Sequence, residues 1–216
     1  MGWAAAGLGT AGLVVGLTVA PADATQGEAY RLLYLHVPTA WAAYLSFFAV
    51  VVASIGYLVS GDPRWDRAAQ AAAEVGVGLT ALTIGIGMVW GRATWGVWWA
   101  WDPRLVSTAL LLLCYAGYAA ARPAGVPPRR LAWWGVAGFA LVPVVHFSVV
   151  WWRSLHQEAT VLQPTSRPPI DPLMFTALLL CLGAATLVAA WLWLRRLTQL
   201  ERRAGGRRVP EALLLQ

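Results

Sequence analysis

AWAAYLSFFAVVVASIGYLV, residues 40–59, is a run of twenty residues without a charge. Wound as a helix at 1.5 Å per residue it is about 30 Å long, the thickness of the hydrocarbon core of a bilayer. Five more apolar runs of comparable length stand at 2–20, 71–91, 103–121, 131–150 and 172–194. Of the 216 residues 59% are hydrophobic and 12% charged, too little polar surface to cover a soluble globule of this size. The chain therefore reads as an all-α integral membrane protein with six transmembrane helices, a single membrane domain over 1–216 and a basic tail at 195–216. Run 2–20 has no basic flank before it, so it reads as a retained helix in preference to a signal peptide.

All sixteen basic residues are arginine. Loop 61–70 holds Arg64 and Arg67, loop 122–130 holds Arg122, Arg129 and Arg130, and the tail holds Arg195, Arg196, Arg202, Arg203, Arg207 and Arg208, eleven in all. The opposite face holds five: Arg31, Arg92, Arg104, Arg153 and Arg167. By the positive-inside rule both termini are cytoplasmic. Topology accounts for most of the net charge of +6, so no nucleic-acid partner is called for, and the tail can rest on anionic membrane lipid. Cys114 and Cys181 lie inside predicted spans and read as packing residues; without a Cys-x-x-Cys the chain has no thiol-exchange or covalent c-type haem motif.

Polar chemistry collects on the outer face, in segments 21–38, 92–102 and 151–171. The second, within TWGVWWAWDPRLVS, places Trp95, Trp98, Trp99 and Trp101 in seven residues and follows them with Asp102-Pro103. Trp95, Trp98, Trp99 and Asp102 fall at i, i+3, i+4 and i+7, one face if the stretch is helical, a condition that Gly96 weakens. Such a cluster of indoles suits a large planar ligand that must be kept from water. Asp102 also reads as a plain N-cap, with Pro103 at the first helical position. Trp41, Trp133, Trp134, Trp191 and Trp193 read as interfacial belt residues.

His36 and His156 stand just outside spans on two separate outer loops, as an axial pair for a b-type haem would. In SVVWWRSLHQ, Ser148, Trp152 and His156 recur at i+4, so an amphipathic surface helix would point Trp152 and His156 the same way. His146, inside the fifth span near Pro143, reads as a packed residue. Glu74, at the start of the third span, reads as structural. No H-E-x-x-H, G-x-S-x-G, P-loop or Gly-rich dinucleotide turn is present.

WGVWWAWDPRLVS resembles the tryptophan-rich W-W-D motif of the haem-handling membrane proteins of cytochrome c maturation. YLHVPTAW and FSVVWWRSLHQEAT resemble the two flanking histidine segments of the CcmC family within that group. Nearly the whole chain takes part in the resemblance, and the three motifs stand in the family's order. It implies haem b bound at the periplasmic face of the bacterial inner membrane, with His36 and His156 as axial ligands and Trp95, Trp98, Trp99, Trp101 and Asp102 beside the porphyrin. It also implies delivery of haem to the chaperone CcmE, with CcmA, CcmB and CcmD driving later release. Arg31 and Arg104 are candidate partners for propionates, and Trp152 a neighbour of the ligand. The expected role is delivery, not enzymatic, though presentation of haem can promote its covalent attachment. The larger CcsA- and CcmF-like synthases share the W-W-D motif and remain an alternative, as does a cytochrome b-like redox subunit, which would need ligands deep in the spans or near both faces.

Overall fold

A computed structural model describes residues 2–157 and 170–206; Arg167, Arg207 and Arg208 lie outside the described residues. Helix α1 (Gly2–Val14) continues into a π-helical turn (Val15–Val19), and a 3-10 turn (Glu28–Leu32) leads into α2 (Leu33–Ser60). Then follow α3 (Pro63–Trp95), α4 (Pro103–Ala121), α5 (Pro128–Gly138), α6 (Leu141–Trp151) and α7 (Pro172–Gly206). Taking α5 with α6 as one interrupted crossing, six helical segments are long and apolar enough to span a membrane. No strand is found among the described residues.

Two further Asp-Pro pairs, Asp62-Pro63 and Asp171-Pro172, start helices by the same cap chemistry that Asp102-Pro103 suggests. Asp62 accepts the Arg64 N–H at 2.8 Å and Asp171 the Leu173 N–H at 2.7 Å, each just before a proline that cannot donate in the first turn. Gly61 closes α2 at φ 69°, a left-handed position at which a β-carbon would be strained.

Helix α2 is central and packs against α3, α5 and α7; α1 lies on α7, and α4 on α3 and α6. Among lipid tails there is little hydrophobic gain in helix association, so close packing has to supply it. Gly76 provides it on α3: a β-carbon there would stand 2.6 Å from the Phe47 ring, which stacks on Tyr115 at 3.9 Å. A second buried cluster, with Tyr30, Leu33, Tyr34, Met174 and Leu178, fixes the site-bearing end of α2 against α7.

The helices outrun the apolar windows. Helix α2 begins at Leu33, so His36 and Pro38 are helical, and His36 does not stand outside the span. Pro38 follows closely on the first four positions, whose N–H groups lack helical acceptors in any case, so it removes one helical bond without ending the helix. At the opposite end of the bundle, Arg122 pairs with Asp66 at 2.9 Å and Glu74 pairs with Arg196. Trp193, read as a belt residue, donates inward to the Ala68 carbonyl at 3.2 Å.

Candidate functional site

The tryptophan run is not a helical face. Helix α3 stops at Trp95, where Gly96 turns left-handed at φ 76° and its carbonyl accepts from the Arg92 side chain. Residues 97–102 then cross to α4 as irregular chain. Trp95 and Trp99 consequently turn into the bundle, while Trp98 and Trp101 are 55% and 86% exposed.

Asp102 caps α4, accepting the Arg104 N–H on Oδ1 at 2.8 Å, but this is one of four contacts. Its Oδ2 accepts the Ser154 hydroxyl and the Leu155 N–H, both at 2.7 Å, and Oδ1 lies 3.1 Å from His156 Nδ1. The Ser154 oxygen accepts the His156 N–H at 3.0 Å. A carboxylate only 4% exposed thus holds the turn that carries His156. This turn replaces the expected surface helix: α6 ends at Trp151, Trp152 is extended (φ −130°, ψ 158°), and the i+4 relation fails. Trp152 is 51% exposed, whereas His156 faces inward with its ring 4.9 Å from Trp95, edge to face.

An open cavity brings these elements together. His36, His156, Trp95, Trp99 and Arg104 line it; Trp98, Trp101, Trp152, Arg31 and Asp102 do not. His36 packs edge-on to Trp90 at 5.6 Å and fits a notch on α3, since a β-carbon on Gly87 would stand 2.9 Å from its Cε1. Its buried Nδ1 has no side-chain hydrogen-bond partner, and the Thr83 backbone is the polar group beside the ring. Arg31 bonds Glu28 and the Gly16 carbonyl freed by the π-turn, which makes it a strut of the N-terminal segment.

Several lining residues escaped the sequence reading. His146 faces the cavity from α6, near Tyr44 at 6.5 Å, and its carbonyl accepts from Arg104 at 2.8 Å. Trp41, assigned to the belt, lines the wall and donates to Thr186 at 3.1 Å. Trp90 donates to Gln26 at 2.8 Å, Gln26 to Gln157 at 3.1 Å, and Gln157 to Tyr30 at 3.1 Å. This chain ties the 20–27 segment to the residue after His156. The adjacency of Gln157 to a candidate ligand was the one local signal for it.

Electrostatics keep the His156 imidazole neutral. Burial pushes its pKa down to about 4, the carboxylate of Asp102 opposes this, and Arg104 adds to the lowering. Burial also raises the Asp102 carboxyl, but the hydrogen bonds from Ser154, Leu155 and Arg104, with His156 nearby, outweigh it and hold the group below its ordinary value. With Nδ1 directed at Asp102, Nε2 is the nitrogen left for a ligand. Among the described residues no group of three or more His, Cys, Asp or Glu gathers to hold a bare ion. Iron in a porphyrin brings four nitrogens of its own and needs two axial ligands.

Compared with known families, residues 1–209 match heme exporter protein C, CcmC. The chain belongs to the CcmC family. The heme exporter protein C of Escherichia coli is 38% identical over 197 residues, 88% of this chain and 78% of that protein. That of Haemophilus influenzae is 33% identical over 189 residues, 86% of this chain and 76% of its own. A putative cytochrome c biosynthesis ccmC-like mitochondrial protein of Marchantia polymorpha is 34% identical over 151 residues, 70% of this chain and 65% of its own. This CcmC family member thus has the family's resemblance along nearly its full length, in addition to the local tryptophan motif.

Proposed function

We propose that the cavity receives haem b at the periplasmic face of the bacterial inner membrane and that the protein delivers it to CcmE for cytochrome c maturation. Membership of the heme exporter protein C family supports haem handling. The observation that carries the reading is the convergence of His36 and His156, from α2 and the 152–157 turn, on one indole-walled cavity. Each imidazole supplies one axial nitrogen. Trp95 and Trp99 cover apolar surface and keep water away, and Arg104 offers donors to a propionate.

No side chain is asked to make or break a covalent bond, so the role is that of a carrier. The exposed Trp98, Trp101 and Trp152 beside the cavity offer the apolar surface on which an acceptor can dock. CcmA, CcmB and CcmD belong to the later release of the loaded chaperone in this reading. A cytochrome b-like redox subunit is disfavoured because all three histidines of the chain line this one cavity. The opposite end is built from Asp66–Arg122 and Glu74–Arg196 pairs.

The test is a transfer reaction. Haem-loaded protein in lipid nanodiscs is mixed with the soluble domain of CcmE, and haem on each partner is followed by absorbance and by haem-stained denaturing gels. Loss from the donor matched by covalent haem on the acceptor is expected; haem retained by the donor, with the acceptor left empty, overturns delivery.

A further inference from the structure

The two candidate axial histidines are built differently. His156 has a buried carboxylate behind it: Nδ1 meets Asp102 Oδ1 at 3.1 Å, and Asp102 is locked by three further donors. His36 has no such backing. Its buried Nδ1 has no side-chain partner, the ring's polar neighbour is the Thr83 backbone, and the ring is bounded by the Trp90 indole and the bare backbone at Gly87. A carboxylate hydrogen-bonded to the remote nitrogen of a ligating imidazole makes the near nitrogen more basic and its metal bond stronger. It also fixes the ring orientation of His156; His36 has the Thr83 backbone beside it but no carboxylate to do the same.

We infer that handover is ordered: His36 is the exchangeable axial ligand, and His156, held by Asp102, keeps the iron until the acceptor's own ligand has taken the place of His36. This rests on the haem reading above. In the exchange one iron–nitrogen bond, to His36, breaks and one bond to a neutral lone-pair donor of the acceptor forms; the oxidation state of the iron is unchanged and, with a neutral donor, no proton moves. The Trp95 indole agrees with the order: it is packed edge-on to His156 and belongs to the retaining side. Asp102 is thereby a positioning residue: it touches His156, not the ligand.

The experiment compares haem affinity in detergent-purified full-length protein bearing His36→Gly or His156→Gly, each with and without Asp102→Asn. His36→Gly, which keeps the carboxylate-backed ligand, is expected to bind haem roughly tenfold or more tightly than His156→Gly. Asp102→Asn should remove about 10- to 100-fold in the His36→Gly background and add little in the His156→Gly background. The iron–histidine stretching band of the ferrous five-coordinate form gives an independent readout, higher in His36→Gly than in His156→Gly and lowered by Asp102→Asn only in the former. Equal affinities of the two glycine variants, or an equal cost of Asp102→Asn in both, would overturn the ordered exchange while leaving haem delivery intact. Failure of the unmodified protein to show six-coordinate haem would overturn both.

Discussion

Asp102 and His156, separated by 54 residues, meet across 3.1 Å through Oδ1 and Nδ1, and this contact joins the tryptophan segment to the histidine segment. One carboxylate does two jobs: it starts α4 and it aims an imidazole. The two are separable by comparison with Asp62, whose side chain only caps α3. Asparagine caps nearly as well as aspartate, so Asp62→Asn should change thermal stability in detergent by no more than about 0.5 kcal/mol. At position 102 asparagine cannot accept from Arg104, Ser154, Leu155 and His156 together, and a loss of about 1–3 kcal/mol with weakened haem binding is expected. Equal, small effects of both changes would reduce Asp102 to a cap.

His156 should resist protonation. Its pKa in the fold, about 4, lies below the ordinary histidine value, so the fold favours the neutral ring. The sign follows: above pH 6.5 the residue imposes no proton-linked penalty, and as pH falls from 6.5 toward 4 its protonation in the unfolded chain increasingly disfavours the folded state. Carbon-13 histidine NMR of haem-free protein, assigned by single substitution of His36, His146 and His156, should show His156 neutral from pH 8 to 5. A midpoint between 6 and 7 would contradict a buried site.

The tryptophans should divide into two groups. Trp95→Leu and Trp99→Leu, on the cavity wall, are expected to lower haem occupancy. Trp98→Leu, Trp101→Leu and Trp152→Leu, on exposed rings, should leave haem bound and lower covalent loading of co-expressed CcmE. Loading is normalised to the amount of inserted variant. A common phenotype for all five would remove the distinction between wall and docking surface.

Gly87 should matter through His36 alone. A methyl at Gly87 would stand 2.9 Å from the imidazole, whereas one at Gly85 meets nothing within 4 Å. Gly87→Ala is expected to displace the ring and cut six-coordinate haem absorbance several-fold while insertion continues, and Gly85→Ala to leave the spectrum unchanged. Identical spectra for the two variants would show that His36 does not need its notch.

How much of this was legible in the sequence depends on the kind of signal. The spans were, because a charge-free run of twenty residues in an apolar chain has few uses other than crossing lipid. His36 and His156 were marked by residue type and by neighbouring aromatic and arginine residues. Where the helices end was legible only in part: Gly96, left-handed in the structure, was marked as a weak point for helix, whereas the extended Trp152 leaves no mark in the sequence. Each flips the residues beyond it to a different side, which is why Trp98, Trp101 and Trp152 face outward. His146 was missed because an apolar span reveals little about which of its faces borders a cavity, and the Asp102–His156 contact because long-range pairing leaves no local periodicity. Arg31 had the charge for a propionate but is already engaged by Glu28 and the Gly16 carbonyl.

The central claim is that His36 and His156 together hold haem iron in this cavity, and the absorbance spectrum of purified protein tests it most directly. The unmodified chain and His146→Ala are expected to show the low-spin bands of bis-imidazole haem. His36→Gly and His156→Gly should lose them and regain them with added imidazole, and the double variant should have no six-coordinate haem without it. Low-spin bands in the His36→Ala, His156→Ala double variant equal to those of the unmodified protein would contradict the account.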